Sequence, residues 1–527
     1  MNKRNEKGMA LILVIILLVV VSIMGTSLMF LSQTETWSSA NYRLMTQSRY
    51  GAEAGANKAI NYLLNAYTPP AASGGDALSN YNLSASGVNF EGDAVGATYG
   101  GNAVVLHTTS GLANYPASAT ETAFANAVSG SLAAGNSTVN YSAHAVLLSM
   151  RQITPYGTTT PVTIQTWRVT GDASISGAQN AQAEVSIILE RQVTPVFQYA
   201  AFADDNGCAA MTFGGGGVTG SYDDTAVVNG SVTIQASGGN VGTNGNLVTS
   251  GNPTTINGTL STPRSGVGAC SSSNVTAWTD NSGNVTGGVI ELPQPITYPT
   301  PVIPVPSSTI DVGISHGWAC PTGAGAIDMA HGFMGNCSVV GNDIYLPPTN
   351  PLSGFVGYGN ISISGNMTVH ITNGTYNINT FKESSAQSSL VVDETMSSIV
   401  GLESLAAIGV TFSAGPVIFN VTGSGGGTVV DLTGNSVQNA TLNPMNFQIM
   451  YAGTGSFSLK GQSQASGLLY APNASFSFAG GGTWYGAVIG ATMTDMGGAA
   501  VYYDRRLNNS GFTVGNYMQT SFTWKKF

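Results

Sequence analysis

Charged residues are scarce in this chain. Only 8% of its 527 residues are Asp, Glu, Lys or Arg, about a third of the share usual in globular proteins. The 16 Lys and Arg residues are scattered along the chain, and the formal net charge is -10. Because phosphate binding needs clustered basic side chains, this distribution argues against nucleic acid as a partner. The glycine runs also lack the lysine that a phosphate-binding loop requires.

Cysteine is also rare, with four residues in the whole chain. Two histidines near the last two cysteines give H-x3-C and H-x5-C spacings, which suggest zinc: His316, Cys320, His331 and Cys337. No standard zinc module has these spacings. Outside the cytoplasm we expect a disulfide between Cys320 and Cys337 and a second one between Cys208 and Cys270. Zinc, free thiols or another pairing are the alternatives, and we predict no metal or cofactor.

Groups suited to catalysis are sparse as well. The acidic pairs in FADDNG (residues 202–207) and SYDDT (residues 221–225) do not match the spaced calcium-binding loop, and solvated turns are favoured. The densest ionic cluster is Asp504, Arg505 and Arg506, which we interpret as a surface ion pair. Polysaccharide lyases and hydrolases need clustered acids and bases, and no Ser-His-Asp spacing appears. The sequence therefore predicts no enzymatic activity.

The chain contains a long apolar run near its start. No charged residue occurs from Gly8 to Ser32, and a helix over this run rises about 37 Å, enough to cross a bilayer. Lys3, Arg4 and Lys7 precede it and should stay on the cytoplasmic side. A small-x-small cleavage site is missing after the run, which argues against a removed signal peptide. We therefore predict a membrane helix that the mature protein retains.

The helical pattern continues beyond the membrane segment, because the first proline is Pro69. Apolar residues spaced by three and four can form one stripe: Ala40, Leu44, Ala52, Ala56, Ile60 and Leu63. We predict one helix over residues 9–66, apolar in its first half and amphipathic in its second. The membrane positions are Met9, Leu13, Leu17, Val21, Met24 and Leu28.

Spaced features in this helix carry a family resemblance: Lys7-Gly8-Met9, Glu35, Asn41 and the Ala-Glu-Ala-Gly-Ala segment at residues 52–56. Through them the first 65 residues or so resemble the N-terminus of PilX-type minor pilins of the type IV pilus family. The resemblance implies a leader of residues 1–8, cleavage after Gly8 by a prepilin peptidase, and N-methylation of Met9. It also implies other pilin subunits as partners and the inner membrane as the location before assembly.

One position departs from the family. Most major pilins have Glu as the fifth mature residue, which neutralises the buried terminal amine of a neighbour, and this chain has Leu13 there. A buried amine without a partner is costly. The departure therefore favours a low-copy or tip position over repeated use along the shaft.

Three strands follow the helix, at residues 137–150, 161–176 and 181–192. A helix packed on a small antiparallel sheet is the outline of a pilin, and we assign this sheet domain to residues 67–196. His144 and Trp167 are interpreted as packed sheet residues and not as ligands.

From residue 197 the sequence consists of short apolar alternations separated by Gly, Asn, Ser and Thr. The pattern of residues 449–459 recurs nineteen residues later, as expected when successive coils stack. We therefore predict a right-handed parallel β-helix over residues 197–508, crossed by a proline-rich strap at residues 291–306. Residues 238–251 and 467–490 resemble the C-terminal domains that often accompany PilX-type N-termini. Residues 509–527 should form a C-terminal edge strand.

The predicted fold is thus mainly β with one long N-terminal α-helix. The predicted function is a minor pilin-like subunit, anchored in the bacterial inner membrane and then assembled into a pilus, which displays its β-helix for adhesion or pilus biogenesis. A glycan or a solid surface is the possible ligand. The alternatives are a membrane-anchored β-helix enzyme acting on polysaccharide and an anchored surface protein that never enters a pilus.

Overall fold

The structure, a computed structural model of the full chain, divides into two compact units. Unit 1 comprises Met1–Ile153, Pro161–Val193 and Val514–Phe527, and unit 2 comprises Thr154–Thr160 and Thr194–Thr513. The described residues are 6–526, except 72–74, 85–86, 136, 176–179, 252, 269, 271–274, 280–282, 308, 316–338, 341, 347, 350–356, 386, 394–415, 424–426, 434–436, 440 and 461–463. The expected disulfide between Cys320 and Cys337 lies outside the described residues, and so do the nearby His316 and His331.

The first elements belong to unit 1. They are α1 (Glu6–Asn65), β1 (Val88–Phe90), β2 (Asp93–Val95), β3 (Thr98–Tyr99), β4 (Asn102–Ala103), β5 (Val105–His107), α2 (Ser118–Ala127), β6 (Gly130–Ala134), β7 (Ser137–Ile153), β8 (Val162–Ile175) and β9 (Ala181–Pro195).

The strands of unit 2 follow. They are β10 (Ala201–Ala203), β11 (Met211–Phe213), β12 (Val218–Tyr222), β13 (Val241–Thr243), β14 (Leu247–Thr249), β15 (Thr255–Ile256), β16 (Leu260–Thr262), β17 (Val289–Glu291), β18 (Ile310–Ile314), β19 (Val339–Val340), β20 (Asp343–Leu346), β21 (Tyr358–Ile363), β22 (Thr368–Thr372), β23 (Gly374–Glu383), β24 (Ser389–Asp393), β25 (Val417–Val421), β26 (Thr428–Leu432), β27 (Val437–Asn439), β28 (Phe447–Tyr451), β29 (Ser456–Lys460), β30 (Gln464–Ala479), β31 (Thr483–Met496) and β32 (Ala500–Asp504). The last strand, β33 (Phe512–Lys526), returns the chain to unit 1.

The second half of α1 packs on the sheet of unit 1 through the predicted stripe. Leu44, Ala52, Ala56 and Leu63 are buried in the core that α1 shares with β7, β8 and β9, while Ala40 and Ile60 are half-buried. The approach is close because glycine faces the helix. A Cβ added to Gly171 in β8 would collide with the backbone of α1. Small residues on both sides thus set how near the helix lies to the sheet.

The sheet of unit 1 is antiparallel, in the order β33-β9-β8-β7-β5, with β6 also paired to β7. β7, β8 and β9 are the three strands predicted from the sequence. The weakly patterned stretch before them contains two short antiparallel pairs, β1–β2 and β3–β4. The C-terminal strand pairs with β9, so unit 2 is inserted in the chain between two neighbouring strands of one sheet.

The strands of unit 2 pair mainly in parallel, each with a strand from a later or earlier turn of the chain. β21 pairs with β23 and β22 pairs with β24, so strands joined by the turns at Gly365 and Gly374 lie in different ladders and do not form hairpins. β23 and β30 each pair along two separate stretches. With β25, β28, β26 and β29 they close a ring of six parallel pairings.

The nineteen-residue sequence repeat matches the number of residues between paired positions in only one of the two strands compared. Ser456 pairs with Ser475 and Phe457 with Phe476, nineteen residues on, and these two rings stack with centroids 4.6 Å apart. In the preceding strand, however, Met450 pairs with Tyr470, a step of twenty. The sequence alignment of Tyr451 with Tyr470 was therefore wrong by one residue. An extra residue in the corner between β28 and β29 absorbs the difference.

The order of one ladder differs from the order of the sequence. It runs β17-β16-β13-β10-β31-β30-β28-β25-β23-β21-β18. The first strand of unit 2 thus lies inside the stack, where the late strand β31 pairs with it. From β10 the chain adds strands towards one end of the ladder, where β17 lies. It then crosses to β18 at the opposite end and adds strands back towards β10, which β31 reaches.

The crossing is made by the proline-rich strap predicted at residues 291–306, which contains no helix or strand after Glu291. Asn244 holds it at Ile296, accepting from the backbone N–H and donating to the carbonyl oxygen. Tyr470 donates its hydroxyl to the carbonyl oxygen of Pro299, and the Val302 N–H donates to Gly157. The prolines prevent the strap from pairing as a strand, and these hydrogen bonds supply partners for some of its backbone N–H and carbonyl groups.

Candidate functional site

The first half of α1 is an apolar surface that no described residue covers. Its large apolar side chains from Met9 to Leu31 are 42% to 69% exposed. By length and composition this helix can cross a membrane, with a mean hydropathy of 3.0 in its most apolar window and none of that window buried. The six predicted membrane positions, from Met9 to Leu28, all belong to this surface and are 58% to 66% exposed. An exposed apolar area of this length indicates burial in lipid or against other subunits.

Three threonines within and after the apolar run form hydrogen bonds inside the helix. Thr26 donates its hydroxyl to the carbonyl oxygen of Ser22 at 2.9 Å. Thr34 donates to Phe30, and Thr36 donates to Ser32, both at 2.8 Å. A hydroxyl that bonds to the preceding turn exposes no free donor, which suits a helix surrounded by lipid or apolar side chains.

The predicted processing residues lie at the start of α1. Since the helix begins at Glu6, Lys7, Gly8 and Met9 belong to its first turn in the full-length chain. Leu13, which stands where most major pilins have glutamate, is 64% exposed on the apolar surface.

Family-type polar residues in the second half of α1 are held at the surface. Glu53 of the Ala-Glu-Ala-Gly-Ala segment forms an ion pair with Arg49 at 2.8 Å, one helical turn away. The Arg49 guanidinium also lies 5.3 Å from the ring centroid of Trp524 in β33. This arrangement joins the helix to the C-terminal strand within unit 1.

His144 and Trp167 are packed sheet residues with polar partners. Trp167 is fully buried, and its indole N–H donates to Gln165. His144 is nearly buried, with ring nitrogens 3.4 Å from carboxylate oxygens of Glu91 and of Asp172. Burial alone would lower the pKa of His144, but the hydrogen bond to Asp172 and the charge of Glu91 outweigh burial, so its pKa is raised.

The tip of the β1–β2 hairpin completes this polar cluster. Glu91 has a φ of +49°, and it forms an ion pair with Arg168 at 2.7 Å. Asp93 binds the same guanidinium. His107 stacks on His144 with ring centroids 5.3 Å apart, and burial followed by the nearby His144 lowers the pKa of His107. The cluster fastens the hairpin to the sheet.

In unit 2 a disulfide joins Cys208 and Cys270, which are 62 residues apart in the sequence. The bond connects the loop after β10 with the region between β16 and β17. It therefore links turns of the stack that belong to different rungs.

The acidic pairs of unit 2 have structural partners. Asp204 accepts a hydrogen bond from Asn244 at 2.8 Å, and burial, helped by Asp205, raises its pKa to about 7. Asp223 caps a short turn by accepting from the Thr225 N–H. Within the part of the chain that the structure describes, no group of three or more His, Cys, Asp or Glu side chains could hold a metal ion.

The predicted surface ion pair among Asp504, Arg505 and Arg506 is wrong in its partners. Asp504 is 1% exposed and accepts from the backbone N–H of Arg506. The Arg506 guanidinium instead binds Asp224 at 2.8 and 3.0 Å. Parallel pairing of β32 with β12 brings Arg506 close to Asp224. The two residues are far apart in the sequence, so the sequence pattern could not indicate this ion pair.

Comparison with known proteins gives two family matches. Residues 7–57 match the model described as PilX N-terminal, and residues 368–510 match a domain of unknown function, DUF7305. Among solved structures, the chain matches the competence-associated pilin ComZ from Thermus thermophilus with 12% identity and a TM-score of 0.24, covering 73% of this chain and 88% of that one. The comparison with curated proteins found no match.

The described structure is that of a mainly β protein with a long N-terminal helix that is apolar and exposed in its first half. With the family match, residues 7–57 are a type IV pilin segment of the PilX N-terminal family, as the sequence predicted. The chain accordingly carries a pilin-like N-terminal segment on a helix that is long and apolar enough to cross a membrane.

Sequence reasoning missed the carboxylates that hold the β1–β2 hairpin. Glu91 and Asp93 lie in a stretch without clear periodicity, and their partner Arg168 is more than seventy residues away. The signal that was present is Glu91-Gly92, a turn dipeptide between short apolar alternations.

Proposed function

We propose that this chain is a low-copy or tip subunit of a type IV pilus, processed after Gly8 and methylated on Met9 once it is in the bacterial inner membrane. The observation that carries the proposal is the contrast between the halves of α1. The half from Met9 to Leu31 is exposed and apolar, whereas the half from Leu44 to Leu63 is packed on a sheet. A helix built this way can leave lipid and enter a bundle of pilin helices while its domain stays folded.

The low-copy role rests on Leu13. After cleavage, the new terminal amine of Met9 would carry a positive charge into the centre of a filament. A glutamate at the fifth position would give the neighbouring amine a partner, and leucine cannot do so. In a low-copy or tip position few such subunits are neighbours, so the free-energy cost of a buried, unpaired amine is not repeated along the shaft.

Unit 2 is proposed to be a right-handed parallel β-helix, displayed for adhesion or pilus biogenesis, that catalyses no reaction. Parallel pairing at steps of nineteen and twenty residues supports the stacked-coil geometry. Stacked rings such as Phe457 and Phe476 support a continuous interior column. A rigid stack held by its strap suits a unit that must resist pulling.

Processing can be tested on the protein in native membranes, with and without a prepilin peptidase, by N-terminal sequencing and intact mass. We expect a chain that starts at methylated Met9 only when the peptidase is present. Gly8→Val should block cleavage, because a side chain at the scissile position must fit the protease. Gly25→Ala is the matched control, since a Cβ at Gly25 would meet no atom within 4 Å. A chain that still starts at Met1 in both membranes would contradict the proposal.

A further inference from the structure

The sheet of unit 1 has two faces with different cover. One face carries α1, which contacts alternate residues such as Val139 and Ala173. On the other face, one end is apolar and is covered by the hairpins around Val146, which is buried with Val95 and Val105. The opposite end of that face is polar, and no described element packs on it.

A cleft of about 350 Å³ lies at this polar end. It is lined by residues 140–142, 172–174 and 182–183, from three neighbouring strands. Strand pairing aligns Asn140, Ser174 and Gln182 in one row across the sheet, and Ser142, Asp172 and Glu184 in the next. The Glu184 carboxylate is neutralised by an ion pair with Lys525 at 3.3 Å. Rows on one face are about 7 Å apart along a strand and neighbouring strands about 4.8 Å apart, which gives a regular polar floor.

The hydrogen-bonding groups of the floor are not used within the described part of the protein. The side chains of Asn140, Ser142, Ser174 and Gln182 form no hydrogen bond with any described residue. Some other amides in unit 1 have a structural role. Asn114 donates to two backbone carbonyls, for example. The floor therefore has amide and hydroxyl groups that are free to bind a ligand.

One carboxylate in the cleft lies beside a packed imidazole. Asp172 is 47% exposed, and one of its oxygens lies 3.4 Å from Nδ1 of His144. The other side of His144 contacts Glu91, and His107 stacks on its ring, so the imidazole is positioned from three sides. A positioned carboxylate beside neutral amides can accept from two neighbouring hydroxyls of one ligand.

The geometry points to this cleft as a binding site for a neutral sugar unit of a glycan. Amides and hydroxyls both donate and accept, and the ligand groups that do the same are alcohols. An anion would be repelled by Asp172. A cation would leave the N–H groups of Asn140 and Gln182 without acceptors. A volume near the lower limit for small-molecule sites fits a short stretch of sugar rings.

The test uses the full chain in detergent micelles and saturation-transfer NMR. The probes are the methyl glycosides of glucose, galactose, mannose, N-acetylglucosamine and N-acetylgalactosamine. At least one should receive saturation from the protein. The double variant Asn140→Ala and Gln182→Ala should weaken its binding at least fivefold. Both side chains are exposed and make no structural hydrogen bond, so the fold should be kept, as circular dichroism can check. Gln519→Ala, an exposed amide on β33 of the same sheet, is the matched control and should bind as the parent does.

Three outcomes would overturn the inference. They are no transfer to any glycoside, equal binding by the double variant and the control, and binding of a polyamine such as spermidine in place of the glycosides. The experiment does not depend on cleavage or assembly. A failure here would leave the proposed pilus function standing, and a failure of cleavage after Gly8 would leave the cleft standing.

Discussion

Replacing Asp495 by asparagine should make unit 2 less sensitive to rising pH. Asp495 lies in β31, is fully buried, and pairs in register with Phe478 of β30 and Phe213 of β11. Burial raises the pKa of Asp495 to about 8, and the backbone amide of Ala499 offsets only a part of this effect. The native protein thus keeps this carboxyl group protonated at neutral pH, whereas the unfolded chain ionises it near its ordinary pKa of 3.8.

The magnitude follows from proton linkage. Between pH 3.8 and about 8 the native state binds one proton more than the unfolded state at this site. Each pH unit in that window therefore lowers the free energy of unfolding by about 1.4 kcal/mol, and the loss stops above the native pKa. From pH 5 to pH 7 the wild-type protein should lose about 3 kcal/mol through Asp495 alone. The asparagine variant has no titrating group there and should not lose it.

The assay is urea unfolding of the full chain at half-unit steps from pH 5 to pH 9, comparing wild type, Asp495→Asn and Asp431→Asn. Asp431 lies in β26 of the same stack between the buried Val430 and Leu432 and is half-buried, whereas Asp495 is fully buried, so replacing Asp431 controls for the loss of a strand carboxylate in the same unit. Burial also raises the pKa of Asp204 and of Asp504, but these groups titrate in all three proteins and cancel in the difference. A gap between wild type and Asp495→Asn that stays constant from pH 5 to pH 8 would refute the reasoning.

Three further changes test other parts of the structure. Gly171→Ala should destabilise unit 1 by about 2 kcal/mol or more, because its Cβ would meet the backbone of α1, whereas Gly25→Ala should leave the thermal unfolding of unit 1 unchanged. Replacing Cys208 and Cys270 by serine should lower the free energy of unfolding of unit 2 by up to about 4 kcal/mol, since the disulfide closes a loop of 62 residues. Urea unfolding of the wild type and of this double variant, each with and without reductant, measures the difference. Because the pKa of His144 is raised, its stabilising charge is present below about pH 6.5 and is lost as pH rises through the native pKa. Amide exchange in the β1–β2 hairpin, corrected for its intrinsic rate, should therefore quicken from pH 6 to pH 8.5 in the wild type and not in His144→Gln.

The sequence could predict those parts of the structure that depend on residues close together in the chain. The absence of proline before Pro69 and the spacing of small apolar residues predicted a helix over residues 9–66, and α1 spans Glu6–Asn65. The residue pattern of residues 137–150 likewise predicted most of β7, which spans Ser137–Ile153. The exposed apolar surface was predictable for the same reason, because a run without charge is a property of consecutive residues.

The polar cleft and the hairpin cluster were not predictable in this way. Asn140, Ser174 and Gln182 meet only because β7, β8 and β9 pair in one register, and a slip of any one strand by one residue would move its member of the row to the helix face. Arg168 meets Glu91 and Asp93 only after a hairpin without strong periodicity folds over the sheet. Register and long-range docking are set by the whole core and not by a local pattern.

The order of the stack in unit 2 shows where local reasoning stops. The sequence repeats predict that rungs stack on one another, but they do not predict the order of the rungs. Stacking in the order of the chain would fit the repeats equally well. The observed ladder instead has β10 inside the stack, paired with β13 on one side and with β31 on the other. The late strand therefore covers an edge that the first strand would otherwise leave open to pairing with another chain. The same late return brings the chain back beside its own entry, where the N–H of Val196 donates to the carbonyl oxygen of Gly511 at 2.7 Å. Because the chain enters and leaves unit 2 at neighbouring positions, unit 2 can be inserted between β9 and β33 while these two strands remain paired in the sheet of unit 1.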